Sequence, residues 1–127
     1  MLHMTLTEIR KLTWKGSREK PLILDAFWPE GSEKLPVVLF AHGYKGFKDW
    51  GAWDVMGDIF AEKGWEFVRF NFSHNGHVLP DLNECSDALA WSKNTYSKEK
   101  SDLEAILLHV SKSSKPNERV IVIGHSR

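Results

Sequence analysis

The sequence lacks several features that would indicate particular classes of protein. It contains one cysteine, Cys85, so no disulfide can form within the chain and an oxidising compartment is not implied. Seventeen Lys and Arg balance seventeen Asp and Glu, which removes any overall attraction to nucleic acid or to an anionic membrane. No N-terminal segment resembles a signal peptide, and no apolar run is long enough to cross a bilayer. We therefore expect a cytoplasmic, soluble protein with no nucleic-acid or membrane partner.

The composition is that of an ordinary globular domain. The chain has 127 residues, of which 42% are hydrophobic and 27% charged, and this length is enough to bury a core. It contains no repeat, no low-complexity stretch and no obvious linker. We expect residues 1–127 to form one domain.

Five segments are predicted to be strands. Residues 5–15 and 20–29 flank the turn residues 16–19, which favours an antiparallel hairpin. The continuous apolar run 37–41 is typical of a strand buried on both faces, as in a parallel sheet. Residues 65–73 and 119–124 predict two further buried strands.

Two helices are predicted between these strands, and a short third one within residues 85–93. The first should begin at an N-cap Asp49, end with Gly64 at the C′ position, and place Trp53, Met56, Ile59 and Phe60 on one face. In residues 97–115, apolar side chains recur at helical spacing, and Asp102 is expected near the helix N-terminus, where a carboxylate is favourable; the apolar residues are Leu103, Ile106, Leu107 and Val110. A hairpin followed by alternating strands and helices predicts a mixed α/β sheet with helices on both faces.

Two polar tripeptides follow predicted strands. His42-Gly43-Tyr44 comes after the strand 37–41, and Gly124-His125-Ser126 comes at the end of the strand 119–124. Ligands bind outside the carboxyl ends of the strands in open α/β sheets. If both strands are central and parallel, the two tripeptides should face one crevice.

On these residues the sequence resembles the α/β-hydrolase superfamily, in particular its small esterases and its dienelactone-hydrolase-like or prolyl-oligopeptidase-like branch. The last four residues, "GHSR", match the first four positions of the Gly-x-Ser-x-Gly nucleophile elbow, and "HGYKGF" is similar to the His-Gly segment after the third strand. The resemblance implies the N-terminal half of an α/β-hydrolase, with a mostly parallel sheet. It also implies that Ser126 is the nucleophile, on a strained turn, and that the backbone amides of Tyr44 and Arg127 form the oxyanion hole.

Other residues receive supporting roles from the same resemblance. Gly43 lets the backbone approach the substrate, and Gly124 is expected to be required because a Cβ would collide with the turn. His42 is expected to be structural rather than a general base, while His74 and His77 could line the mouth of the pocket. His125 adjoins the nucleophile, but neighbours on a strand point to opposite faces.

No cofactor and no metal are expected. His74 and His77 are spaced as a possible pair of metal ligands, but no third or fourth ligand is spaced convincingly, so a polar loop is the favoured interpretation. Cys85 has no evident paired base and is expected to be inert.

The sequence departs from the family after the serine. The elbow's final glycine, the following helix, the catalytic acid and the catalytic histidine have no counterpart in these 127 residues. A serine without a general base is a poor nucleophile, so the segment alone is expected to be inactive. In the family's strand order, residues 119–124 lie centrally, so their strand should here present an open apolar edge. We therefore expect the N-terminal half of a larger hydrolase, partnered by a complementary C-terminal segment or by self-association through that edge.

Three functional hypotheses follow. The first is a serine hydrolase that acts on a small-molecule carboxylic ester or related acyl substrate. The second is a catalytically inactive half-domain or interaction module that uses the open sheet edge. The third is another doubly wound fold, such as a flavodoxin-like binding domain, in which Ser126 would have a relaxed backbone.

Overall fold

A computed structural model describes residues 10–13, 20–29, 35–78, 81–113 and 119–126. They form a mixed α/β domain, as the alternation of patterns predicted. In chain order the elements are β1 (Arg10–Thr13), β2 (Pro21–Phe27), β3 (Val37–Ala41), α1 (Trp53–Glu62), β4 (Glu66–Asn71), α2 (Ala88–Ser92), α3 (Tyr96–Ser113) and β5 (Val120–Gly124).

The described strands form one sheet in the order β1-β2-β4-β3-β5. β3 pairs in parallel with β4 on one side and with β5 on the other. β2 runs antiparallel to both β1 and β4, so it alone opposes the direction of the other described strands. The carboxyl ends of β3, β4 and β5 therefore meet at one edge of the sheet. This confirms the predicted antiparallel pairing of the first two strands and the mostly parallel sheet that follows; the predicted turn at 16–19 lies outside the described residues.

Helices cover both faces of the sheet. On one face α3 inserts Ile106 and Val110 into a cluster with buried side chains of β2, β3 and β4. On the other face α1 packs Met56 and Phe60 against a second cluster, which includes Phe40 and Phe67. Burying the sheet on both sides explains why β3 is a continuous apolar run. The predicted two-sided helical cover is confirmed.

The first helix differs from its prediction in two details. Its N-cap residue is Ala52, with no side-chain cap, and the predicted cap Asp49 was wrong because its carboxylate binds Lys48 and Arg69 instead. Ile59, expected on the packed face, is more than half exposed. Gly64 follows the C-cap with a φ of +88°, which confirms its predicted C′ position.

The longest helix, α3, packs with the apolar face that its spacing predicted. Ile106 and Val110 are buried, and Leu103 and Leu107 pack beside them. The expectation that Asp102 lies near the helix N-terminus was wrong. Because α3 begins at Tyr96, Asp102 falls in the second turn, where it is fully buried.

β5 forms one edge of the described sheet. Its pairing within the described residues is with β3 alone, and Ile121 and Val122 are each 44% exposed. The open apolar edge that the sequence predicted is present in this part of the chain.

Candidate active site

The carboxyl ends of β3 and β5 bring the two polar tripeptides together. Ala41 pairs with Gly124 at the ends of the strands, and the amide of His125 donates to the carbonyl of Ala41 at 3.0 Å. His42 and Ser126 therefore leave the sheet from adjacent strands on the same edge. This is the arrangement predicted from the two motifs.

A cavity of about 280 Å³ opens between the two tripeptides. Its walls include Tyr44 on one side and Ser126 on the other; the remaining lining residues are His42, Gly43, Lys45, Gly46, Trp50, Trp53 and His125. Arg127, whose amide was predicted to be the second oxyanion donor, lies outside the described residues. The cavity brings the predicted nucleophile and the predicted oxyanion loop onto one small space.

Ser126 has an unusual backbone. Its φ is +56°, in the left-handed region, and Lys45 is the other non-glycine residue with a positive φ in the described part of the chain. Such a conformation costs a residue with a Cβ free energy, and it occurs mainly at turns and functional sites. Ser126 takes this conformation two residues beyond Gly124, the last residue of the edge strand β5.

The surroundings of Gly124 and His125, which precede this turn, were not predicted from the sequence. A Cβ added to Gly124 would meet no described atom within 4 Å, so the expected steric need for glycine was wrong for this part of the structure. Val120 and Ile123 of β5 pack against the two core clusters, but no described residue packs at Gly124 itself. The His125 ring packs edge-on against Trp53 of α1, with ring centroids 4.9 Å apart.

The loop that carries Tyr44 is a tight turn. The amide of Gly46 donates to the carbonyl of Gly43 at 2.9 Å, and Lys45 takes the left-handed conformation at the third position, with φ +59°. A Cβ on Gly46 would come within 2.8 Å of the Gly43 oxygen. Only glycine fits at position 46 without moving the turn, and the turn fixes where Tyr44 lies.

His42 is a structural residue, held neutral beneath this loop. Its Nδ1 lies 2.9 Å from the Gly43 carbonyl and must donate, while its Nε2 accepts from the amide of Phe72 at 3.2 Å. Burial lowers the pKa of His42 to about 4, although the bond to Gly43 opposes this shift. With both nitrogens engaged, the ring is unsuited to act as a general base.

Asn75 connects the loop after β4 to the loop after β3. Its side-chain amide donates to His42 Nε2 and to the Gly46 carbonyl, each at 3.4 Å, and its Oδ1 accepts from the amide of His77 at 3.0 Å. Asn75 was not predicted as a site residue. The signal available in the sequence was its place in the polar segment after a buried strand.

His74 and His77 differ from their predicted place at the pocket mouth. Both are buried, and neither lines the cavity that contains Ser126. His77 stacks on Phe47 with centroids 4.0 Å apart and donates from Nδ1 to the carbonyl of Leu82 at 2.8 Å. His74 lines a separate cavity on the far side of α2.

A largely buried network of charges ties the segment after the Tyr44 loop to the sheet. Lys48 is 1% exposed, and its Nζ lies 3.0 Å from Asp25 and 2.9 Å from Asp49. Arg69 binds the same two carboxylates, at 2.7 Å and 3.2 Å. Two cations therefore balance two anions in a buried setting, where an unpaired charge is costly.

The sequence contains a signal for this network. Asp25 and Arg69 are each flanked by apolar residues within a strand, and they are opposite in sign. Their strands are neighbours, and the two residues face each other directly in the register of β2 and β4. Charged residues are rarely buried without a partner, so the pair could have been predicted.

Ser73 and Asp102 form a second buried polar contact. Asp102 Oδ2 accepts from both the amide and the hydroxyl of Ser73 at 2.8 Å, which ties α3 to the loop after β4. Burial raises the pKa of Asp102 to about 6 despite these two bonds. Its other oxygen has no hydrogen-bond partner among the described residues.

A second cavity, of about 310 Å³, lies against the other side of the Tyr44 loop. It is lined there by Trp91 and Asn94 of the α2 region and by Glu99 of α3. The Tyr44 and Trp91 rings are tilted, with centroids 5.9 Å apart, and Asn94 donates to Glu99 at 2.9 Å. The loop 42–46 thus stands between a cavity with a serine and a cavity with aromatic and polar walls.

The described residues bring no three His, Cys, Asp or Glu side chains into a group that could hold a metal ion. No helix in the described ranges is both long and apolar enough to cross a membrane.

Comparisons with known proteins give the fold. No protein-family model matches the chain, and no curated protein matches it. Among solved structures, an esterase from an Arctic intertidal metagenomic library, described as cold-adapted, matches 96% of this chain with a TM-score of 0.73 and 14% identity. Brefeldin A esterase, a bacterial homologue of human hormone-sensitive lipase, matches 96% with a TM-score of 0.66 and 20% identity. Est1E from Butyrivibrio proteoclasticus matches 93% with a TM-score of 0.65 and 17% identity.

This chain spans only part of those proteins. It covers 51% of the metagenomic esterase, 31% of brefeldin A esterase and 40% of Est1E. At these identities the likeness concerns the fold. The described residues have the fold of the N-terminal half of an α/β-hydrolase.

Proposed function

We propose that this chain carries the nucleophile of a serine hydrolase that acts on carboxylic esters or related acyl substrates. The observation that carries the proposal is the left-handed backbone of Ser126, in a cavity shared with Tyr44. A serine lifted above the end of a parallel strand can attack a carbonyl carbon held in that cavity. The three structural neighbours described above are all named as esterases, which favours ester chemistry.

The reaction would proceed through an acyl-enzyme. Ser126 Oγ attacks the ester carbonyl, and the developing oxyanion accepts hydrogen bonds from the amides of Tyr44 and Arg127. Each such donor contributes on the order of 3–4 kcal/mol to transition-state stabilisation. A general base takes the Ser126 proton and returns it to the alcohol, which leaves as the ester C–O bond of the tetrahedral intermediate breaks. Water then attacks the acyl-enzyme, which releases the acid and restores the serine hydroxyl.

The general base and its acid partner come from polypeptide beyond these residues. His42 is unsuited because it is buried and neutral, and His77 is held by Phe47 and by the carbonyl of Leu82. We propose that the complementary polypeptide pairs with the open edge of β5, where Ile121 and Val122 are exposed. It would supply a histidine next to Ser126 and cover the exposed sheet.

Hydrolysis of a p-nitrophenyl ester tests the proposal. The assay uses the chain with its complementary polypeptide, and compares S126A with S86A, a matched change at an exposed serine outside the described cavities. We expect S126A to lower kcat by about a thousandfold or more, and S86A to leave it unchanged. Equal activity of the two folded variants would exclude Ser126 as the nucleophile.

One observation favours a second candidate, a non-enzymatic interaction module. The edge of β5 exposes apolar side chains and unpaired backbone groups, which can accept another strand. This candidate requires association that depends on concentration, with no esterase activity in any assembly. Size-exclusion chromatography over a range of concentrations, with the ester assay on each fraction, separates the two candidates.

A further inference from the structure

The largest of the three cavities described here lies away from Ser126. It measures about 590 Å³ and shares no lining residue with the two cavities beside the Tyr44 loop. α2 forms the wall between them, with Ala90 on one side and Trp91 on the other. The volume lies in the range of small-molecule sites, about 300–1,000 Å³. The proposed hydrolase mechanism gives this cavity no role.

The cavity is cationic. Three lysines line it, Lys20, Lys93 and Lys98, against one carboxylate, Asp87. Asp87 is already engaged, because it accepts from Lys20 at 2.8 Å and from the amide of Ala90 at 3.1 Å. The bond to Lys20 holds the pKa of Asp87 below its usual range, so this group stays ionised and paired at neutral pH.

The charges of Lys93 and Lys98 remain without a carboxylate partner within the described ranges. Lys98 Nζ donates to the backbone carbonyl of Lys93 at 2.7 Å, which is a neutral acceptor. An ammonium carries three N–H donors, so this bond leaves donors as well as charge for a ligand. The Lys98 ammonium is thus held beside the backbone of Lys93 at the end of α2, and both lysines line the cavity.

His74 gives the cavity a fixed, buried wall. The side chain is 4% exposed, and its Nδ1 lies 2.7 Å from Ser73 Oγ. Ser73 donates its single hydroxyl proton to Asp102, so it accepts from His74, whose Nδ1 therefore carries a hydrogen. The contact with Ser73 and Asp102 fixes the orientation of the His74 ring, so this wall of the cavity is preset. The lysines at the rim of such a cavity suit a negatively charged group.

We propose that this cavity binds a small molecule that carries a multiply charged oxyanion, either a phosphate group or several carboxylates. Both chemistries present oxygens that accept hydrogen bonds from ammonium donors. The lysine excess favours at least two negative charges, and the cavity volume exceeds what a single inorganic anion needs. This site is separate from the proposed ester hydrolysis and does not depend on it.

Isothermal titration of the full chain with pyrophosphate, and separately with citrate, tests the proposal. The variant K93Q/K98Q removes the two charges, and K63Q/K100Q removes two exposed lysines on other parts of the surface as a matched control. We expect the affinity for the preferred anion to fall at least tenfold in K93Q/K98Q and less than twofold in K63Q/K100Q. Stronger binding of pyrophosphate would identify a phosphorylated ligand, and stronger binding of citrate a polycarboxylate.

Two results would contradict the proposal that this cavity binds an anionic small molecule. One is the absence of binding for both anions at millimolar concentration and low salt, and the other is an equal loss in the two double variants. Because Lys98 supports the end of α2, a K93E single variant serves as a second test that leaves that bond in place. Reversal of one charge should weaken binding at least tenfold while the circular dichroism spectrum stays unchanged, and unaltered binding would contradict the proposal.

Discussion

The amide of His125 donates to the carbonyl of Ala41, and this single bond places the last turn of the chain beside the loop that follows β3. It extends the parallel pairing of β3 and β5 by one residue beyond Gly124. Ser126 then turns into the left-handed region, directly over a cavity whose other wall is the Tyr44 loop. The relative position of the two segments is thus set by the register of β3 and β5.

The turn before Lys48 should be sensitive to a single methyl group. G46A would place a Cβ 2.8 Å from the Gly43 oxygen and displace the loop that carries Tyr44. We expect a loss of about 1–3 kcal/mol in the free energy of unfolding, as for other overpacked sites, together with a fall in ester hydrolysis. Urea denaturation and the p-nitrophenyl ester assay measure the two effects.

G124A is the matched control, because its added Cβ meets no described atom within 4 Å. Its stability should stay within about 1 kcal/mol of the unsubstituted chain. If both alanine variants were equally stable, the close approach at Gly46 would not determine the loop.

Removal of one member of the buried charge network should lower the free energy of unfolding strongly. K48M removes the cation between Asp25 and Asp49 and leaves two carboxylates with Arg69 alone. Loss of one partner from a buried pair typically costs about 3–5 kcal/mol. Chemical denaturation measures the change.

K100M provides the control for that experiment. Lys100 lies 3.9 Å from Glu104 on the exposed face of α3, where an ion pair contributes less than about 1 kcal/mol. A K48M variant as stable as K100M would show that the buried network has no net role in holding the loop.

The free energy of unfolding should depend on pH because of Asp102. Burial raises its pKa to about 6, against an ordinary value of 3.8, so the folded state binds this proton more tightly than the unfolded state. The stabilisation is therefore complete below pH 3.8 and is lost as the pH rises to about 6. D102N removes it, so the stability advantage of the unsubstituted chain over D102N should fall by about 3 kcal/mol across that window.

The contribution of His42 to stability should change with pH in the opposite direction, over nearly the same pH range. Its folded pKa of about 4 lies below the ordinary 6.5, so its stabilisation is present above pH 6.5 and is lost as the pH falls to about 4. The advantage of the unsubstituted chain over H42Q should therefore shrink by about 3 kcal/mol on acidification. Denaturation at several pH values measures both differences, and slopes of the same sign in D102N and H42Q would contradict this assignment.

The strands were predictable because burial leaves a strong pattern. The uninterrupted run of β3 reflects two covered faces, and the spacing in α3 reflects one packed face. From the order of these elements, the sequence also indicated that His42 and Ser126 would share an edge. The turn at Ser126 followed from the resemblance of "GHSR" to an elbow rather than from any local propensity.

The errors concern residues whose partners come from distant elements. Asp49 has the residue type of an N-cap, but two cations compete for its carboxylate. Asp102 was assigned to a helix end, yet Ser73 from another element accounts for its burial. The need for glycine at position 124 depends on what packs there, and no described atom lies within 4 Å of an added Cβ. Tertiary contacts of this kind cannot be obtained from spacing along one chain.

The central claim is that Ser126 is the nucleophile, and covalent labelling tests it most directly. The chain, assembled with the polypeptide that completes its domain, would be treated with a fluorophosphonate probe, digested and mapped by peptide mass spectrometry. We expect one modified peptide, which contains the β5 residues 120–124, with the adduct on Ser126 and no adduct in S126A. An adduct on another serine, or no adduct while the fold is intact, would contradict it.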